Sequence, residues 1–234
     1  MKIEELFSVQ GKVALVTGGS RGIGEMIAAG FLTNGVKVYI SSRKKDQCDA
    51  TATRLSETYG AECISIPANL SELSGIESLV AALSEREDHL DILVNNAGYG
   101  LVGDFESYSF EEHQKMMQVN MNALVEACHR FFPMLSGKGQ AYVLNIASST
   151  AYQAIPLMSL YAASKVFVLN FSRGLFHEWK IKGISVTAVS PGATSTSFND
   201  RANLRESARK AAQKVTMSPA AVAKMAVNGM FAKK

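Results

Sequence analysis

Six short apolar segments alternate along the chain with longer amphipathic ones. The short segments are nearly continuous in apolar residues, which is typical of strands buried on both faces of a parallel sheet. They lie at residues 12–17, 36–41, 61–66, 90–94, 141–147 and 183–189. Because helical patterns separate them and crossovers are right-handed, we predict a single-domain, doubly wound α/β fold over residues 1–234, with strand order 3-2-1-4-5-6.

Two helical regions need comment. Residues 109–133 predict one long helix, in which an apolar stripe points to core or subunit contact; the stripe is formed by Met116, Met117, Met121 and Leu124. Asn120 lies in that stripe, and a buried amide needs partners, so it is either a satisfied structural group or part of a site. Ser218 and Pro219 predict a helix start, as N-cap and first helical residue.

Composition limits the function classes. The chain has 234 residues, 47% of them hydrophobic and 19% charged, and a net charge of +3, which argues against nucleic-acid and membrane partners. Cys48, Cys63 and Cys128 are widely spaced and the histidines show no ligand spacing, so we expect no metal. The three cysteines, and a start without a signal-peptide pattern, predict a cytoplasmic protein.

A glycine-rich turn follows the first strand and precedes a helix. Gly18, Gly22 and Gly24 have the spacing G-x-x-x-G-x-G. Glycines in a strand–turn–helix unit allow a tight turn and let the backbone approach a dinucleotide pyrophosphate at the helix N-terminus. A glycine turn that merely closes a loop is the alternative.

The second strand ends in Ser41, Ser42 and Arg43, with no acidic residue there to bind a ribose 2′-hydroxyl. Arg43 and Arg21 could instead converge on a 2′-phosphate. The alternative is two solvated surface arginines. We predict a preference for NADPH over NADH.

Polar residues also follow the later strands. Asn95, Asn96, Ala97 and Gly98 come directly after the fourth strand, where small residues would let the backbone lie against a nucleoside. The sixth strand is followed by a Pro-Gly turn and hydroxyl side chains at 190–196. Beyond it, residues 193–216 are polar and charged, which indicates a helical flap over a pocket.

The strongest candidate chemistry is Ser148 with Tyr161 and Lys165. Tyr161 and Lys165 are four residues apart on a predicted helix, so they share a face. A nearby ammonium lowers the pKa of a phenol, which suits it to exchange a proton with a carbonyl or alcohol oxygen. Ser148 follows the fifth strand, at the edge where α/β sheets bind ligands. Taken alone, such a Tyr–Lys pair is usually structural.

Together these motifs resemble the short-chain dehydrogenase/reductase family over nearly the whole chain, including its NADP-preferring type. The resemblance implies a Rossmann fold, with Tyr161 as general acid/base, Lys165 binding the nicotinamide ribose and Ser148 holding the substrate oxygen. It implies that Asn120 fixes a water in a proton relay. The cofactor-binding residues that it implies are Gly18, Ser20, Arg21, Gly22, Ile23, Gly24, Ser42, Arg43, Asn69, Leu70, Asn96, Ala97, Gly98, Tyr161, Lys165, Pro191, Gly192, Thr194 and Thr196.

The chain departs from the family pattern in two places. Asn69 stands where many members have an aspartate that binds adenine, and we expect the amide to accept that bond with a small loss. We also find no pattern for a seventh strand before residue 234, which puts the family's usual tetramer in doubt.

The expected activity is NADPH-dependent reduction of a ketone or aldehyde. The resemblance to the family also implies a homodimer or homotetramer. A 3-oxoacyl-carrier reductase is the alternative enzyme; it needs a basic patch, for which Arg201, Arg205, Arg209 and Lys210 are candidates. An NADP-binding sensor or scaffold with weak chemistry is the alternative outside enzymes. Leu101, Val102, Ile155, Leu157 and Met158 predict an apolar substrate pocket.

Overall fold

The central element is a six-stranded parallel sheet. The computed structural model describes residues 9–137, 139–195 and 216–233. The strand order is β3-β2-β1-β4-β5-β6, as predicted, and the described residues contain no seventh strand. The strands are β1 (Val13–Thr17), β2 (Lys37–Ser41), β3 (Cys63–Ser65), β4 (Ile92–Asn95), β5 (Ala141–Ile146) and β6 (Ile184–Val189).

Seven α-helices accompany the sheet in the described part of the chain: α1 (Gly22–Thr33), α2 (Lys45–Tyr59), α3 (Leu73–Ser84), α4 (Phe110–Met117), α5 (Ala123–Leu135), α6 (Ser159–Lys180) and α7 (Pro219–Phe231). Successive strand residues point to opposite faces, so Leu15 packs with α3, α5 and α6 while Val16 packs with α1, α2 and α7. Both residues are fully buried, which explains the continuous apolar runs.

Element boundaries differ from the prediction in two instructive places. β3 covers only Cys63–Ser65. The single helix predicted over 109–133 is interrupted by a π-helical turn, Gln118–Asn122, and its last part continues past Pro133 to Leu135. Such turns insert a residue into the helical repeat and frequently occur at functional sites. Here the turn places Asn120 in the interior, where it is 2% exposed.

The start of α7 is as predicted. The Ser218 hydroxyl accepts a hydrogen bond from the Ala221 N–H at 3.2 Å, and Pro219 is the first helical residue. Short backbone pairing between Thr194 and Met217 joins the two ends of the predicted flap, of which residues 196–215 lie outside the described part. None of the helices in the described ranges combines the length and apolar character that a membrane span requires.

Candidate active site

A cavity of about 520 Å³ opens at the carboxyl edge of the sheet. Because all strands are parallel, their carboxyl ends and the loops that follow them meet at this edge. Its wall contains eighteen of the predicted site residues: Gly18, Ser20, Arg21, Gly22, Ile23, Ser42, Arg43, Asn69, Leu70, Asn96, Ala97, Gly98, Ser148, Tyr161, Lys165, Pro191, Gly192 and Thr194. Gly24 and Asn120 lie behind the wall, and Thr196 is outside the described residues.

The glycine turn is hydrogen-bonded to the residues that directly follow β4. The Asn96 side chain donates to the carbonyls of Thr17 and Gly18 at 2.9 and 3.1 Å. The Thr17 hydroxyl in turn accepts from the N–H groups of Asn96 and Ala97, both at 3.1 Å. These bonds join segments almost eighty residues apart, so the two loops form one rigid unit. Thr17 was not predicted as a site residue, although it directly precedes the glycine turn.

The structure gives a further reason for glycine at position 24. A Cβ on Gly24 would collide with the Asn96 amide and the Gly18 carbonyl. Glycine therefore lets α1 pack closely on the Asn96 junction, and the predicted part of Gly24 in binding a pyrophosphate stays a prediction. Gly18 has a left-handed φ of +65° and faces the same amide, and both Gly18 and Gly22, whose φ is +62°, line the cavity.

Both polar atoms of the Asn120 side chain form hydrogen bonds within the protein. Its Oδ1 accepts from the Tyr99 N–H at 3.1 Å, and its Nδ2 donates to the Tyr99 carbonyl at 2.9 Å and to the Ser164 hydroxyl at 3.1 Å. Ser164 donates onward to the Tyr161 carbonyl at 2.7 Å. The amide therefore ties the loop after β4 to the first turns of α6.

Ser148 and Tyr161 meet in the cavity wall. Both are buried, at 8% and 7% exposure, and their hydroxyls are hydrogen-bonded. The Ser148 hydroxyl also accepts from the Thr150 N–H at 3.2 Å, which fixes its direction. Burial raises the pKa of the Tyr161 phenol, and the bond to Ser148 opposes this. Burial outweighs that bond, so the pKa of Tyr161 lies above its ordinary value in the chain itself.

Lys165 lies one turn beyond Tyr161 on α6, as predicted. Its Nζ is 5.8 Å from the centre of the Tyr161 ring and donates to the Ile146 carbonyl at 2.8 Å. Burial lowers the pKa of Lys165 to about 8, because the charged form loses its hydration. The pKa of Lys165 therefore lies much closer to neutral pH than that of a solvated lysine.

Three basic residues line the end of the cavity away from Tyr161. Arg21, Arg43 and Lys44 contribute to this wall, and none of them forms an ion pair with a described carboxylate. Lys44 was not singled out from the sequence, although it adjoins Arg43. Ser41 and Thr150 also line the cavity, and their buried hydroxyls have no hydrogen-bond partner among the described residues.

Asn69 has a structural task that the sequence did not reveal. Its Oδ1 accepts from the Ser71 hydroxyl at 2.8 Å, and its Nδ2 donates to Glu72 at 2.6 Å. The side chain therefore organises the turn before α3. Asn69 also lines the cavity, and its predicted bond to adenine stays a prediction.

The end of the cavity nearest Tyr161 has an apolar wall. Val102, Ile155 and Met158 line it, as the sequence indicated, whereas the predicted Leu101 and Leu157 do not. Val119, which the sequence did not indicate, also lines it. Lys115 also lines the cavity and pairs with Glu111 one helical turn away, at 2.7 Å. One end of the cavity is thus basic and polar, and the other is apolar beside paired hydroxyls.

Comparisons with known proteins agree with this geometry. The family model described as short chain dehydrogenase matches residues 12–207. A relative named rhamnolipids biosynthesis 3-oxoacyl-[acyl-carrier-protein] reductase, from Pseudomonas aeruginosa, is 41% identical over 191 residues, or 80% of this chain and 74% of that protein.

Two solved structures superpose over nearly the whole chain. The P. aeruginosa RhlG/NADP active-site complex has a TM-score of 0.85 and 35% identity, and covers 95% of this chain and 90% of its own. A Sphingobium yanoikuyae short-chain dehydrogenase in complex with NADPH has a TM-score of 0.87 and 29% identity, with 95% and 85% covered. With its motifs, its sheet and its cavity in agreement, this chain belongs to the short-chain dehydrogenase/reductase family of NAD(P)-dependent oxidoreductases.

Proposed function

We propose that the protein reduces a ketone or aldehyde to an alcohol with NADPH. The observation that carries this proposal is the hydrogen-bonded pair of Ser148 and Tyr161 hydroxyls, buried beside Lys165 in the wall of one cavity. Two hydroxyls held together can both hydrogen-bond to one carbonyl oxygen, which polarises the C=O bond.

The residues at the basic end fit the cofactor. Arg21, Arg43 and Lys44 have no carboxylate partner among the described residues, so they can bind phosphate without breaking an existing ion pair. No acidic side chain lines the cavity to bind a ribose 2′-hydroxyl in the described residues. This combination supports NADPH over NADH, and relatives bound to NADP and NADPH are consistent with it.

In the proposed reaction, each of the residues near the substrate has its own role. Bound NADPH supplies the hydride for the carbonyl carbon. Ser148 holds the carbonyl oxygen, and Tyr161 donates its proton to that oxygen as the alcohol forms. The raised pKa of Tyr161 keeps the phenol protonated at neutral pH, as a general acid requires. Lys165, with a pKa of about 8, can return a proton to the tyrosine.

Asn120 is proposed as a positioning residue near this relay. A Cβ on Gly98 would lie 3.2 Å from Asn120 Oδ1 and 3.5 Å from Lys165 Nζ, so glycine leaves a small space between these two groups. A water in that space could bridge the amide and the ammonium. Gly98 and Asn120 would then serve the proton path without touching the substrate.

The decisive assay follows the absorbance of NADPH at 340 nm with a panel of ketones, aldehydes, diketones and 3-oxo esters. We expect oxidation of NADPH above background with at least one class and weaker use of NADH. Tight NADPH binding without turnover across the panel would contradict the reductase and favour a cofactor-binding sensor or scaffold.

A second candidate is a 3-oxoacyl-carrier reductase, which the name of the 41% identical relative favours together with the apolar cavity end. Its predicted basic patch, Arg201, Arg205, Arg209 and Lys210, lies outside the described residues. Comparing a carrier-bound 3-oxoacyl thioester with the free thioester separates the two: a large gain in kcat/KM from the carrier supports this candidate.

We further propose a cytoplasmic homodimer or homotetramer. The three cysteines are buried free thiols, which suits a reducing compartment. Light scattering of the purified protein measures the subunit number directly, and a monomeric mass would exclude the assembly.

A further inference from the structure

Val102 of the apolar wall lies in an exposed segment that three hydrogen bonds hold in place. The Tyr108 hydroxyl donates to the Val102 carbonyl at 2.9 Å. The Gly103 N–H donates to the Leu157 carbonyl, also at 2.9 Å. His113 Nε2 lies 3.1 Å from the Phe105 carbonyl. Residues 102–108, which we name the wall segment, therefore have a defined path despite their position at the surface.

His113 is the buried member of this arrangement. It lies on α4 and is 6% exposed, whereas Phe105, on which it acts, is 61% exposed. The two rings stack with centroids 4.7 Å apart and an interplanar angle of 14°, and the Tyr108 ring meets His113 edge-on at 6.0 Å. His113 thus fixes both the backbone and the ring of Phe105, and it packs against Tyr108, which holds Val102.

The hydrogen bond to Phe105 determines the tautomer. A carbonyl oxygen can only accept, so Nε2 of His113 must carry the proton. Nδ1 is buried and has no hydrogen-bond partner among the described residues. The bond to Phe105 is therefore the hydrogen bond that orients this ring, and replacing His113 should release Phe105.

The wall segment is also linked to the opposite apolar wall. Leu157, whose carbonyl accepts from Gly103, has a left-handed φ of +66°, which is rare and costly for a residue with a side chain. The same turn is closed by a bond from the Met158 N–H to the Ile155 carbonyl at 3.1 Å. Ile155 and Met158 line the cavity, so the Gly103–Leu157 bond sets the separation of its two apolar walls.

We propose that His113 is a positioning residue that sets the width of the apolar end of the cavity and so selects carbonyl substrates by the size of their apolar arm. This inference rests on the proposed reductase function. The path runs from His113 through Phe105 and Tyr108 to Val102, and through Gly103 and Leu157 to Ile155. His113 does not line the cavity.

The test measures kcat and KM of the wild type and His113→Phe with NADPH and 3-oxo esters of increasing acyl length. Phenylalanine keeps the stacked ring but lacks the donor. We expect the ratio of KM between the longest and shortest accepted substrates to change about tenfold, the effect of about one hydrogen bond, with kcat on the shortest within about twofold of wild type. A general loss of stability would lower all activities together instead. An unchanged KM ratio would overturn the proposal.

Three further variants complete the design. His129→Phe makes the same change at an exposed histidine of α5 away from the cavity, and should leave the ratio unchanged. His113→Gln retains a donor and should recover part of the wild-type selectivity. If His113→Phe does not fold, Tyr108→Phe removes only the hydroxyl bound to Val102 and should shift the ratio in the same direction by a smaller factor.

Hydrogen exchange separates failure of this inference from failure of the proposed function. The Gly103 amide is bonded to Leu157, so in His113→Phe it should exchange about tenfold faster, as expected for the loss of about one hydrogen bond. This readout needs no turnover. Absence of any carbonyl reduction by the wild type, with faster Gly103 exchange in the variant, would refute the reductase and the substrate selection but retain the positioning role. Unchanged exchange at Gly103 would refute that role too.

Discussion

Two groups of polar side chains at the cavity differ in how they are satisfied. The first, which we name the floor, comprises Thr17, Asn96, Asn120, Ser164 and Lys165, and each of them hydrogen-bonds to other parts of the protein. The second, the rim, comprises Arg21, Arg43 and Lys44, which pair with no described carboxylate.

The difference reflects two tasks. A buried polar group without a partner costs about 1–3 kcal/mol, so groups that shape the site must find partners within the fold. A group that binds an anion gains more when no carboxylate competes for it, and exposed cations tolerate this because water solvates them. The floor therefore maintains geometry in the absence of ligands, whereas the rim is ready to bind one.

The largest effect should come from Tyr161→Phe, which removes the proposed proton donor and leaves the floor intact. We expect kcat to fall by about 10²–10⁴-fold, the usual value of a general acid, with nearly unchanged NADPH affinity. Steady-state kinetics and a fluorescence titration measure both. Tyr152→Phe is the control, since that exposed hydroxyl lies 3.4 Å from Ser190 outside the cavity wall. Wild-type turnover by Tyr161→Phe would exclude the assignment.

Lys165 allows the pH dependence of stability to be compared between a buried floor cation and a solvated one. Its pKa is lowered to about 8 in the fold, so between pH 8 and its ordinary value of 10.5 the folded chain binds fewer protons than the unfolded chain. Stability therefore rises with pH in that window. The free energy of unfolding of the wild type relative to Lys165→Met should increase by on the order of 3 kcal/mol across it. Urea unfolding at several pH values measures this difference.

Lys37→Met provides the control for that experiment. The hydrogen bond to Glu87 raises the pKa of Lys37 above its ordinary value of 10.5, so its contribution is complete below pH 10.5 and is lost only above it. The free energy of unfolding of the wild type relative to Lys37→Met should therefore stay constant from pH 8 to 10. A flat curve for Lys165→Met as well would mean that Lys165 is solvated in the folded protein.

Asn96→Ala tests the floor itself. It removes the donors to the Thr17 and Gly18 carbonyls and should destabilise the protein by about 2 kcal/mol in urea unfolding. Asn69→Ala is the matched control: its amide is half-buried like that of Asn96 but is bonded to its sequence neighbours Ser71 and Glu72, so its loss should cost much less. Equal losses for the two asparagines would remove the distinction between a long-range junction and a local turn.

The smallest effect is expected at the rim. Arg43→Ala should raise the KM for NADPH about tenfold, the cost of about one charge-assisted contact, and leave the KM for NADH unchanged. Arg173→Ala, an exposed arginine of α6 that does not line the cavity, should alter neither. Equal effects of Arg43→Ala on both cofactors would argue against recognition of a 2′-phosphate by this side chain.

Local sequence determined those structural features that depend on interactions between residues close together in the chain. The apolar runs predicted the six strands, and helical spacing placed Tyr161 and Lys165 on one face. The strand–turn–helix unit located the glycine turn, and Pro219 after Ser218 located the start of α7. Each of these follows from steric and hydrogen-bonding preferences within a few residues.

Tertiary structure decided what lies next to each motif. The need for glycine at position 24 arises from Asn96, more than seventy residues away. The π turn that buries Asn120 was hidden in a continuous helical pattern. The pKa values of Tyr161 and Lys165 are set chiefly by burial, which depends on the whole packed core rather than on their spacing. The sequence therefore identified the candidate groups for the chemistry, and long-range packing decided their partners and their protonation.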